Sequence, residues 1–103
     1  MASRLEQLAG IVSGNPENTL ARYGLAIEYA QQKDYTRALE NFRTLIASSP
    51  NYVAAYYQAA KVLQNMGDDV QARAVLEQGI DASTRAGNAH ARSEMEALLA
   101  ELR

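Results

Sequence analysis

The chain has 103 residues, 48% of them apolar and 21% charged, with a formal net charge of −2. That length holds one small domain, and the apolar share argues against disorder. The absence of cysteine and the single histidine, His90, exclude a disulfide scaffold, a thiolate metal site, a cysteine nucleophile and a zinc site built on several histidines; ten scattered bases against twelve acids leave no global footprint for nucleic acid.

No run approaches 18 apolar residues, so no membrane-spanning helix is expected, and the opening MASRLEQLAGIV lacks the continuous apolar core of a secretory leader. A cytoplasmic location is the expectation. Alanine occurs 19 times, against 13 for valine, isoleucine and threonine together. Alanine loses no side-chain entropy in a helix, whereas β-branched side chains lose χ1 freedom there, so the class predicted is all-α.

In chain order, a first helix is predicted over 2–13, with Leu5, Leu8, Ile11 and Val12 at helical spacing, ended by Asn15-Pro16. The next runs over 18–32 with Leu25, Ala26, Tyr29 and Ala30 on one face. Asp34 then caps a helix over 35–48, whose stripe is Ala38, Leu39, Phe42, Leu45 and Ile46. Pro50 stops it, because the residue before a proline is pushed out of the α region. A fourth helix spans 52–65 with Tyr56, Ala59, Ala60 and Leu63. Gly67, free to take φ > 0, turns the chain into Asp68, the cap of a helix over 69–86 with Gln71 as capping-box partner. Gly87 suits the C′ position of that helix. The last helix, 89–102, carries Ala91, Met95, Leu98, Leu99 and Leu102.

The two prolines are 34 residues apart, and a shift of 34 superposes much else. Tyr23 falls on Tyr57, Ala26 on Ala60, Asp34 on Asp68, Ala38 on Ala72 and Ile46 on Ile80. Leu8 falls on Phe42, Ile11 on Leu45 and Phe42 on Leu76. One register that aligns apolar, small, capping and breaker positions together is the mark of an internal repeat. At the C-terminal end two registers remain open. The strict shift places His90 on Tyr56 and Arg92 on Gln58, while aligning Asn88 with Asn51 requires an insertion of three residues.

This pattern resembles the tetratricopeptide repeat, a 34-residue helix–turn–helix unit. Leu25, Ala26, Tyr29, Ala38, Phe42 and Pro50 fit its signature in residues 19–52, and Tyr56, Ala60, Leu63, Ala72, Leu76 and Gly79 fit it in residues 53–86. Arg22, Leu45, Ala59 and Thr84 depart from it, Thr84 standing where the proline belongs. The resemblance implies a right-handed α-solenoid of about six helices forming one domain, 1–103. Residues 2–13 form a half-repeat, 19–52 and 53–86 two full repeats, and 89–102 a capping helix.

Catalysis needs groups of matched pKa held together. His90 has no nucleophile or orienting acid beside it by motif and reads as a polar residue near a helix start. Asp68 and Asp69 belong to a helix N-terminus. Glu94 and Glu96, two apart on a helix, do not face each other. The glycines never take a phosphate-loop spacing. No enzyme, metal or cofactor is therefore expected.

Tyrosine is the unusual residue, with six copies against one phenylalanine. Tyr29, Tyr35 and Tyr56 match core positions. By resemblance, Tyr23 and Tyr57 line the concave groove as a ladder, with Ile27, Lys61, Gln64 and Asn65 beside them, and Arg92 if the strict register holds. Tyrosine supplies contact area at low entropy cost with a polar tip. The function implied is binding of a protein or peptide segment of polar or acidic character. Some relatives grip C-terminal carboxylates through a five-residue clamp; Tyr23, Ile27, Gln58, Asn88 and Arg92 stand at those places and at most one matches, so that activity is not carried over. The alternative is a self-assembling protein whose terminal stripes, Leu5/Leu8/Ile11/Val12 and Met95/Leu98/Leu99/Leu102, pack against other copies.

Overall fold

The structure is a computed structural model that describes residues 2–102; Met1 and Arg103, at the ends of the expected domain, lie outside the described residues. It contains six helices among those residues: α1 Arg4–Gly14, α2 Thr19–Gln31, α3 Tyr35–Ser48, α4 Val53–Asn65, α5 Asp69–Ala86 and α6 Ala89–Glu101. Each packs on the next in the chain, and α2 also touches α4, and α4 touches α6. The first helices of successive pairs thus lie side by side along one face.

Every turn within a pair uses the same device. Lys33 (φ 62°) ends α2 and Gly67 (φ 78°) ends α4, both in the left-handed region. In each case the following aspartate N–H donates back to the helix, Asp34 to Tyr29 and Asp68 to Leu63, both at 2.9 Å. This closes a Schellman turn. The same aspartates then start the next helix: Asp34 accepts from the Arg37 N–H and Asp68 from the Gln71 N–H. Gln71 departs from a capping box. Its amide donates to the Asp68 carboxylate at 2.7 Å rather than accepting from the cap's backbone.

Between pairs the chain uses a longer, proline-bearing link. α3 ends at Ser48, and Ser49 (ψ 73°) has left the α region before Pro50. The Tyr56 hydroxyl donates to the Pro50 carbonyl at 2.6 Å and fastens the link to α4. Tyr52, not Asn51, is the N-cap of α4, and it makes no side-chain capping bond.

The link into α6 is different, and it settles the register. With Thr84 in place of proline nothing interrupts α5, which runs for 18 residues where α3 runs for 14. It ends only at Gly87 (φ 68°), and Asn88 immediately caps α6. The caps Asn18, Tyr52 and Asn88 are therefore 34 and then 36 residues apart. Neither the strict shift nor a three-residue insertion describes this end. Under the 36-residue shift the buried Met95, Leu98 and Leu99 fall on the buried Ala59, Val62 and Leu63.

The apolar side chains gather into three successive clusters, as nearest-neighbour stacking requires. Val12, Ala21 and Leu25 join α1 to α2. Ala26, Ala38, Phe42, Leu45, Ala55, Ala59 and Val62 join α2, α3 and α4. Val53, Tyr56, Ala60, Leu76, Ala82, Met95, Leu98 and Leu99 join α4, α5 and α6. The alanine pairs Ala26/Ala38 and Ala60/Ala72 are fully buried, since a methyl group is all that fits where paired helices approach most closely. The C-terminal stripe that the self-assembly alternative needs at the surface is turned inward: Met95, Leu98 and Leu99 are core residues.

Candidate functional site

The face made by α2, α4 and α6 carries two neighbouring clefts. The first, about 310 Å³, lies between α2 and α4 and is lined by Ile27, Ala30, Gln31, Tyr35, Gln58, Lys61, Val62 and Asn65. The second, about 290 Å³, lies between α4 and α6 and is lined by Val53, Ala54, Tyr57, Gln58, Asn88, His90, Ala91, Glu94 and Met95. Gln58 belongs to both. Helical spacing explains the set: Tyr57, Gln58, Lys61 and Asn65 recur at three and four residues, so one face of α4 supplies the shared wall.

The structure brings Ile27, Lys61 and Asn65 into one cleft and places Tyr57 in the other. Lys61 Nζ stands 5.4 Å from the centre of the Tyr57 ring, within cation–π range, and so ties the two together. The two groove tyrosines are not equivalent. Tyr23 is half-buried, its ring edge-on to Phe42 at 6.0 Å and tilted on Tyr52 at 5.3 Å. Burial pushes the Tyr23 phenol above its ordinary value, Tyr52 adds to this, and a side-chain hydrogen bond with Gln58 opposes it. Tyr23 borders a different cleft, between α1 and α2. Tyr23 thus packs against two other rings, while Tyr57, half-buried as well, lies under Lys61. Gln64 is exposed and lines neither cleft of the α2–α4–α6 face.

Arg92 requires a correction. It sits in a depression with Ser83, Thr84, Gly87, Asn88 and Ala89, beside the C-terminus of α5, and its Nε donates to Glu96 at 2.9 Å. The cause is the two-residue longer spacing, which turns α6 by about 200° from the strict register, at about 100° per residue. His90 and Glu94 take its place beside Tyr57, with His90 Nε2 3.3 Å from the Glu94 carboxylate. Gln31, Tyr35, Gln58, His90 and Glu94 are among the lining residues that sequence reasoning did not propose for the groove. The missing proline at Thr84 was the available signal for the last two.

Antiparallel helix pairs stacked on a 34-residue register, joined by tight turns within pairs, define a helical-repeat protein. Residues 29–102 match the tetratricopeptide repeat family, and the chain belongs to it. It is 31% identical over 98 residues to the TPR repeat-containing protein PA0015 of Pseudomonas aeruginosa, covering 95% of this chain and 93% of that protein. Among solved structures it is similar to protein BPP2914 of Bordetella parapertussis, with a TM-score of 0.86 and 28% identity over 99% of this chain and 89% of the other. The TPR2B domain of yeast Sti1, solved in a complex with pHsp70, has a TM-score of 0.89 at 17% identity over 95% of this chain and 78% of that one, a likeness of fold alone. The fold is therefore an all-α tetratricopeptide-repeat solenoid, a family whose domains generally mediate protein–protein interaction. Among the described residues no helix is long and apolar enough to cross a membrane.

Proposed function

We propose that this protein binds a segment of another polypeptide across the face of α2, α4 and α6. The observation that carries the reading is the continuity of the two clefts through Gln58, with Lys61 set over Tyr57 at their junction. Aromatic area with an amide and a cation at its rim suits an extended peptide, whose backbone offers donors and acceptors and whose side chains supply apolar contact. Lys61 and Asn65 favour an acidic or polar residue at the α2–α4 end. Glu94 favours a basic or neutral one at the α4–α6 end, so the partner has mixed rather than uniformly acidic character. The TPR2B domain of yeast Sti1 has the same fold in its complex with pHsp70. A carboxylate clamp is not part of the proposal, because Tyr23, Ile27 and Gln58 supply none of its cations. The cytoplasm is the compartment proposed.

The test compares partners captured by the wild type and by Lys61→Glu and Tyr57→Ala variants, each checked for helicity. Proteins lost from both variants support the groove. An identical partner set for all three removes it. The second reading, self-assembly through the terminal helices, draws support from the N-terminal end alone, where Ile11 and Leu20 are exposed. Light scattering over a concentration series tests it, and a monomer throughout counts against it.

A further inference from the structure

The two clefts of the α2–α4–α6 face carry opposite charge. Lys61 is the one charged side chain lining the α2–α4 cleft, and Glu94 is the one acid lining the α4–α6 cleft, with His90 beside it. Other charges on these helices are engaged elsewhere: Glu28 with Arg4 of α1, Arg22 with Asn41 of α3, and Arg92 with Glu96. Among the described residues Lys61 meets no carboxylate, and its ammonium rests over the Tyr57 ring. One Glu94 oxygen stands 3.3 Å from His90 Nε2, and the second is left for a ligand. Lys61 and Glu94 are both exposed.

The repeat sets how far apart the two charges stand. α4 and α6 are both first helices of a pair and run parallel, in contact with each other. Under the 36-residue shift Glu94 holds on α6 the place that Gln58 holds on α4. Lys61 is three residues further along, about 4.5 Å at about 1.5 Å per residue. Packed helix axes lie about 8–10 Å apart. The two offsets are at right angles, so the charged positions are separated by about 10 Å, with Tyr57 and Gln58 between them.

An extended chain offers that spacing in one conformation. In a β-strand, side chains on one face recur every second residue, at about 6.6 or 13 Å, which falls short or overshoots. In polyproline II, with about three residues per turn and a rise of about 3.1 Å, positions i and i+3 share a face about 9.3 Å apart.

We infer that the face selects a partner segment in the polyproline II conformation that carries an acidic and a basic residue three positions apart. The acid pairs with Lys61 and the base with Glu94, and the two residues between them lie over Tyr57 and Gln58. Proline suits both intervening places, because its fixed φ holds the conformation in the free segment and its ring packs on an aromatic face. The Gln58 amide, at the junction of the clefts, meets a backbone whose carbonyls make no internal hydrogen bonds. This selectivity rests on the proposed binding of an extended segment to the same face, and fixes that segment's conformation and charge spacing.

The test uses capped synthetic peptides titrated into isotope-labelled protein and followed by amide chemical shifts. The lead peptide is acetyl-Pro-Pro-Glu-Pro-Pro-Lys-Pro-Pro-amide. Comparison peptides place the lysine two or four positions after the glutamate, or replace both charges by glutamine. An exposed ion pair is worth up to about fivefold in affinity. The lead peptide should therefore bind roughly threefold or more tightly than the others, with saturable shifts at Gln58, Lys61, Asn65, His90 and Glu94. Lys61→Glu should turn the preference to lysine at both charged places, and Glu94→Lys to glutamate at both; each change is at an exposed position and compatible with folding. Equal binding at every spacing, or an unchanged preference in both variants, overturns the inference and leaves the face as a peptide site. Shifts confined to α1, or silence from every peptide, also overturn it. Whether the face binds any other segment is then decided separately, by the partners captured with Tyr57→Ala.

Discussion

The helix pair at the C-terminal end and the helix pair at the N-terminal end are built from similar stripes but packed to different depths. Met95 is fully buried between α4 and α5, and Leu98 and Leu99 lie nearly so. Leu5 and Leu8 of α1 are only half-covered and Ile11 is exposed. The difference comes from what each terminal helix finds beside it. α6 is a first-type helix and lands on a complete pair, α4 and α5. α1 is a second-type helix, and among the described residues only α2 covers it. In a nearest-neighbour stack, stability is local to each interface, and the two ends should therefore respond differently to the same kind of change.

The largest contrast is expected from truncating the two stripes. Met95→Ala leaves a cavity in a closed core and should cost about 2–5 kcal/mol. Leu8→Ala removes a side chain already half in water and should cost about 1 kcal/mol. Urea unfolding of both variants measures the gap; equal losses would break the comparison.

The same methyl group added at two glycines sharpens it. A Cβ at Gly79 would lie 2.5 Å from Met95 Sδ and 2.6 Å from Tyr56 Cβ. The sulfur can swing away, but Tyr56 Cβ moves only with α4. Gly79→Ala should therefore destabilise by about 1–3 kcal/mol. At Gly24 the nearest atom is Leu8 Cδ2 at 3.4 Å, an ordinary contact. Gly24→Ala should stabilise by up to about 1 kcal/mol through helix propensity. Opposite signs in thermal unfolding are the expected outcome.

The smallest effect separates the two intra-pair turns. Lys33 holds at φ 62° the place that Gly67 holds at φ 78°. Lys33→Gly should gain about 0.5–1 kcal/mol by relieving the left-handed strain, while Gly67→Ala should lose about 1 kcal/mol by introducing it. A loss from Lys33→Gly in denaturant unfolding would contradict this reading of the turn.

The contrast also explains which features were legible in the sequence. The 34-residue register, the proline link at 50, the caps Asp34 and Asp68 and the close-approach alanines are local signals, each written in one or two residues. The depth of burial at the ends is not local. Met95, Leu98 and Leu99 read as one apolar stripe, but only the length of α5 fixes which way α6 faces. That length depends on a residue that fails to interrupt the helix, Thr84, rather than on one that does. The same turn of α6 removes Arg92 from the groove and brings in His90 and Glu94. Tyr23 and Tyr57 are identical in sequence position, yet Tyr23 meets Phe42 and the α4 cap Tyr52. Around Tyr57, Leu76 occupies the place equivalent to Phe42 and Asn88 that of Tyr52, so no ring meets it from either place and Lys61 lies over it instead.

Residue-resolved native-state hydrogen exchange tests the asymmetry most directly. Amides of α4 and α5 should exchange only through global unfolding, and those of α1 through a local opening of markedly lower free energy. Equal protection in α1 and α5 would contradict the account, since it would mean that the N-terminal interface is as complete as the C-terminal one.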